Sequence, residues 1–185
     1  MTFGQRVARR LAAIRSALAA AYYRRRHRRT LRPGDRRVLI PFTRGQLDPT
    51  VLAAAVRIAR IEEATLVPAY LILVPLEFPL DAPMHREVAV AIPLLEAIEH
   101  TALRAGVPVD ARMESGRTPI HAIERLWNVE DFDRVVVPAP TEWTHGFRPE
   151  ELLWMLTHAP SETVILRPDP RLGGTERTPV RRVAA

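Results

Sequence analysis

Residues 38–74 read VLIPFTRGQLDPTVLAAAVRIARIEEATLVPAYLILV and contain a complete strand, helix and strand. Val38 to Phe42 is a short apolar run, and Leu66 to Val74 is apolar without alternation, which suits strands covered on both faces. Between them Asp48 stands where a helix N-cap accepts an amide hydrogen bond. Pro49 follows at the first helical position, where its missing N–H costs nothing. This spacing predicts a helix from Pro49 to about Glu63. Pro68 falls inside the second strand, where it cannot donate to a ladder.

The alternation continues toward the C-terminus. Met84 to Arg104 has a helical pattern, with Val88, Ile92, Leu95 and the Ile98/Ala102 pair on one side, and Gly106 ends it. Pro93 should remove one hydrogen bond and kink this helix. Val107 to Met113 reads as a third strand, Pro119 to Asn128 as a helix, and Arg134 to Pro138 as a fourth strand. Pro149 to His158 reads as a helix and Thr163 to Leu166 as a fifth strand. Strands alternating with helices imply an α/β fold around a doubly wound, largely parallel sheet. Ligands of such sheets bind beyond the carboxyl ends of the strands where strand order reverses, so the places to look follow Phe42, Met113 and Pro138.

Six pieces in order carry a family resemblance: VLIPF at 38–42, DPTVLAAAVRIAR at 48–60, TLVPAYLILVP at 65–75, ESGRTPIHAI at 114–123, DFDRVVVPAP at 131–140 and HAPSETVILRP at 158–168. Over residues 37–168 the chain resembles the universal stress protein family. The resemblance implies a Rossmann-type five-stranded parallel sheet in the order 3-2-1-4-5 with helices on both faces. It also implies a homodimer joined through the last strand, and ATP binding in some members. The edge would be Thr163, Val164, Ile165 and Leu166, a segment of high β-propensity without charge, which pairing with a second copy would cover.

The ATP site does not carry over. ATP-binding members resemble one another in an Asp after the first strand, where this chain has Thr43 following Phe42. They also have glycines after the fourth strand, where this chain reads PAPTEWTHGFRPEELLW from Pro138 to Trp154 with Gly146 alone. Phosphate is held by free backbone N–H groups at a helix start, approached through glycines. Prolines 138, 140 and 149 remove donors, while Glu150 and Glu151 place negative charge where phosphate would sit. Phe42, Thr43, Gly116, Pro138 and Ala139 are therefore vestigial ligand-site positions, with no cofactor and no ATP expected. Gly116 is the family position retained, explained by a tight turn after the third strand.

No other chemistry stands out. The histidines at 27, 85, 100, 121, 145 and 158 show no metal-ligand spacing, and none of the serines at 16, 115 and 161 sits in a nucleophile elbow. Ser115 with His121 or His145 is a common combination in α/β folds, and no enzyme is expected. Trp143, His145 and Phe147, with Trp154 beyond them, either close a pocket for a planar ligand or plug the vacated cleft. The plug is the favoured reading.

The net charge of +6 is unevenly spread. Residues 1–37 hold 12 arginines and one acid, residues 38–168 carry a net −7, and residues 169–185 a net +2. The acidic body is not suited to wrapping nucleic acid. Phe3, Val7, Leu11, Ile14 and Leu18 form one face of an amphipathic helix, followed by the Arg24–Arg29 cluster. Residues 1–30 are thus an arginine-rich extension and 31–36 a linker. The domain spans 37–168, and 169–185 read as a disordered tail. The extension suits packing on its own domain or a partner first, an anionic membrane surface second and nucleic acid third. Cysteine is absent, which excludes disulfides and thiolate metal sites, and no apolar run approaches the roughly 18 residues of a membrane span. The expected function is a cytoplasmic, non-catalytic stress-response or regulatory domain acting through protein contacts, with membrane-peripheral placement through the extension as a variant. The alternative is a small-ligand or nucleotide sensor beyond strands 1 and 4.

Overall fold

The computed structural model describes residues 36–43, 47–139 and 147–167. The expected N-terminal helix, all of the linker but Arg36, the tail, and the loop residues Trp143 and His145 lie outside them. The elements in order are β1 (Arg37–Phe42), α1 (Pro49–Ile61), β2 (Thr65–Leu73), α2 (His85–Arg104), β3 (Arg112–Gly116), α3 (Pro119–Trp127), β4 (Arg134–Pro138), α4 (Pro149–His158) and β5 (Glu162–Leu166). The strands form one parallel sheet in the order β3-β2-β1-β4-β5, the order that the family resemblance implies.

Side chains alternate across the sheet and separate two cores. Val38, Ile40 and Phe42 of β1 and Leu66, Tyr70 and Ile72 of β2 face α1 and α2. Leu39, Val67, Ala69 and Leu71 point the other way, toward α3 and α4, with Val135 and Val137 of β4. Because both faces are covered, the central strands read as continuous apolar runs. The helix starts follow their caps: Asp48 Oδ1 accepts the Thr50 N–H at 2.7 Å, and Thr118 Oγ1 accepts the His121 N–H at 3.1 Å. Helix α2 runs unbroken through Pro93, which lies on its exposed side, where water can serve the carbonyl that proline leaves without a donor.

The third strand departs from expectation. It begins at Arg112 rather than Val107, preceded by one isolated bridge between Leu66 and Val109. Pro68 supplies the reason. The Leu66 N–H donates to the Pro108 carbonyl at 2.9 Å, so its edge of β2 faces β3. Two residues on, Pro68 faces the same way with no N–H to give, and the regular ladder starts only at Ala69↔Arg112. One lost ladder bond costs about 0.5–1.5 kcal/mol net. Thr65 to Ile72 are all buried, and each large apolar side chain among them contributes roughly 1.5–3 kcal/mol. Burial decides, and the strand persists around its proline. No helix among the described residues is long and apolar enough to cross a membrane.

Candidate functional site

The ladder between β1 and β4 covers only Val38↔Arg134 and Leu39↔Val135, whereas β1 and β2 pair over six residues. Beyond that short contact lies the point where strand order reverses, the usual ligand crevice of an open α/β sheet. Phe42 with Thr43 and Pro138 with Ala139 stand on these adjacent strands. Gly116 ends β3, two strands away from β1.

On the β1 side, the Phe42 ring is buried edge-on against Tyr70 with centroids 5.6 Å apart, and the Tyr70 hydroxyl lies 3.2 Å from Glu87 Oε2 in the first turn of α2. On the β4 side the backbone donors are absent or engaged. Pro138 and Pro140 have no N–H, and the Ala139 N–H donates to the Leu166 carbonyl of β5 at 2.8 Å. A phosphate arriving at residues 138–140 would find no free backbone donor there.

The start of α4 is also occupied. Glu151, 3% exposed, folds back so that its Oε2 accepts the Arg148 N–H at 2.8 Å, while its Oε1 lies 3.2 Å from the Arg148 guanidinium. Glu150 approaches the same arginine at 3.4 Å from the exposed side. The positive end of the helix dipole, which would attract a ligand anion, faces the protein's own carboxylate. Sequence alone places two acids here, but not the inward fold of Glu151.

Gly116 has a different role from the one expected. It is the last residue of β3 rather than part of a turn, and its φ is not in the left-handed region. A Cβ added there would lie 2.5 Å from the Ala122 nitrogen and 2.8 Å from its Cα. The glycine is needed because α3 packs its first turn directly on the strand end. His121 is engaged locally as well, its Nδ1 accepting the Arg117 N–H at 3.3 Å. No group of three or more metal-ligating side chains occurs among the described residues.

Phe147 is buried in the α3/α4 core with Met155. Trp154 stacks between Trp127, 5.4 Å away, and His158, 5.0 Å away. These aromatics belong to one face of the sheet rather than to the crevice. A cavity of about 400 Å³ does open at the end of β1, between α1 and α2, with Phe42, Thr43, Leu52 and Leu94 in its lining.

At the opposite end of the sheet lies a cluster that the sequence reading missed. Arg37 Nη2 is 3.0 Å from Asp110 and 2.7 Å from Glu130, and Arg112 Nη2 is 2.7 Å from Asp110 and 3.0 Å from Glu130. The Arg37 guanidinium also lies 5.2 Å from the Phe132 ring centroid. Burial pushes the Asp110 carboxyl up to about 6, reinforced by the neighbouring Glu130 and opposed by Arg112 and Arg37. Arg134 joins Glu62 and Glu162, both at 2.8 Å. The available signal was an arginine heading three strands, at 37, 112 and 134.

The geometry defines an open parallel α/β protein in which the Ala139 N–H and the start of α4, both beside the switch point, are engaged by the chain's own carbonyl and carboxylate. No protein-family model matches the chain, and no curated protein matches it by sequence. Solved structures do match it in shape. The universal stress protein UspA from Lactobacillus plantarum superposes with a TM-score of 0.58 at 16% identity, over 71% of this chain and 97% of that one. A universal stress protein family protein from Arabidopsis thaliana with AMP bound gives 0.54 at 15%, over 76% and 97%. A universal stress protein in complex with cAMP gives 0.51 at 17%, over 73% and 98%. The fold is that of the universal stress proteins.

Proposed function

We propose that this chain is a non-catalytic, cytoplasmic domain of universal stress protein fold that acts in a stress or regulatory response through protein contacts, as a homodimer and without ATP. The observation that supports this reading is that donors beside the crevice are already used: the Ala139 N–H is engaged by Leu166 and the start of α4 by Glu151. The dimer follows from β5, an outer strand whose Thr163, Val164, Ile165 and Leu166 are only half-buried. Antiparallel pairing with a second copy would cover this edge. Val164→Lys should convert a dimer to a monomer in light scattering. A dimer mass unchanged by the substitution removes β5 as the interface.

A small-ligand sensor is the second reading, favoured by the cavity beside Phe42 and Thr43 and by the neighbours solved with AMP and cAMP. Calorimetry with ATP, AMP and cAMP at millimolar concentration separates the two. Heat with saturable stoichiometry would establish the sensor, and silence the contact protein.

A further inference from the structure

Helix α2 buries one face with Val88, Ala91, Leu95, Ile98 and Ala102. It carries a second uncharged line, Val90, Leu94, Ala97 and Thr101, with Leu94 39% exposed and Ala97 and Thr101 also open. An amphipathic helix of one domain needs a single apolar face, and a second calls for another partner. Leu94, Ala97 and Thr101 of this line form one wall of the cavity. Leu52 and Ala53 of α1 form the other, and buried Phe42 and Ile98 close it below. Among the described lining side chains only Thr43 and Thr101 carry a polar group, few to orient a small molecule. Small residues such as Ala53 and Ala97 are instead what lets the side chains of another helix settle between two helices.

We propose that this trough is the seat of the chain's own N-terminal stretch, Phe3 to Leu18. The sequence pattern puts Phe3, Val7, Leu11, Ile14 and Leu18 on one face, about 24 Å long if helical, against the roughly 20 Å of the 13-residue α1 calculated the same way. The 18 residues Ala19 to Arg36 connect it to β1 and can span up to about 60 Å, ample to cross the domain. Charge favours the meeting, since residues 1–37 carry +11 and residues 38–168 carry −7.

The absence of cysteine makes the test direct. In the full chain, Leu11→Cys is combined with Ala53→Cys or Ala97→Cys and bridged by a short bismaleimide. The control pairs Leu11→Cys with Leu153→Cys on α4, across the sheet. An intrachain cross-link forming at least about ten-fold faster than the control is the effect expected of a docked tether. Adding Ala53→Glu to the Leu11/Ala97 pair should return the rate to that of the control. Equal rates at trough and control overturn the proposal, as do cross-links that join two chains. Control-level cross-linking by a chain that sediments with phosphatidylcholine/phosphatidylglycerol vesicles also overturns it, assigning the stripe to a membrane surface.

Discussion

The two ends of the sheet solve opposite problems. At the carboxyl end, where open α/β sheets take ligands, two backbone donors among the described residues are engaged within the chain: Ala139 N–H to Leu166, Arg148 N–H to Glu151. At the amino end, far from that crevice, it holds Arg37, Asp110, Arg112 and Glu130 in one partly buried ring. Buried ion pairs rarely add net stability over a hydrophobic substitute, but removing one member is costly. The carboxyl end thus relies on single hydrogen bonds, and the amino end is where single substitutions do most damage. The ring also joins segments distant in sequence, the start of β1, the start of β3 and the loop before β4, so it favours their correct adjacency.

The largest effect expected is from Arg37→Ala. It removes ion pairs to Asp110 and Glu130 and the stacking on Phe132, leaving two carboxylates to share Arg112. Loss of one partner from a buried network costs about 3–5 kcal/mol. Urea unfolding at neutral pH should show that loss. The penalty should shrink at pH 5, where Asp110 takes up a proton. A loss under about 1 kcal/mol, the size of an exposed ion pair, would break the contrast between the two ends.

The second effect is on pH dependence. Asp110 sits at about 6 against an ordinary 3.8, so the folded state holds its proton more tightly than the unfolded chain. Its stabilising contribution is complete below about pH 4 and is lost as pH rises through 6. By linkage the loss is on the order of 2–3 kcal/mol. Other carboxylates titrate in the same range, so the measurement is the difference between wild type and Asp110→Asn. Relative to the variant, the wild type should be more stable at pH 4 than at pH 7 by that amount. Parallel pH profiles would show that Arg37 and Arg112 offset the burial after all.

Much of this was legible in the sequence because it is local. Asp48 and Pro49 announce α1, and the unalternating apolar runs announce strands covered on both faces. What escaped acts across the sheet. The late start of β3 depends on Pro68 in a neighbouring strand, and the ring depends on the adjacency of residues 37, 110, 112 and 130, which no periodicity encodes. At the crevice, missing glycines and extra prolines were visible. The use of Gly116 for close approach by Ala122, and the inward turn of Glu151, were not, since both are set by how a helix meets the sheet.

The smallest effect sharpens the comparison most. Glu151→Ala removes the acceptor of the Arg148 N–H at the start of α4, a change that costs about 0.5–2 kcal/mol at a helix N-terminus. Its neighbours Leu152 and Met155 keep the apolar side of α4 in place, so the variant should stay folded, with a modestly lowered urea midpoint. It also exposes the positive end of the dipole to solvent and to anions. If the carboxyl end is closed by several independent devices, ATP should still give no calorimetric heat, because Pro138, Ala139 and Pro140 offer no free donor whatever residue stands at 151. Saturable ATP heat in the variant and none in the wild type would instead make Glu151 a single gate on an otherwise competent crevice. The closed end would then differ from a nucleotide site by one carboxylate.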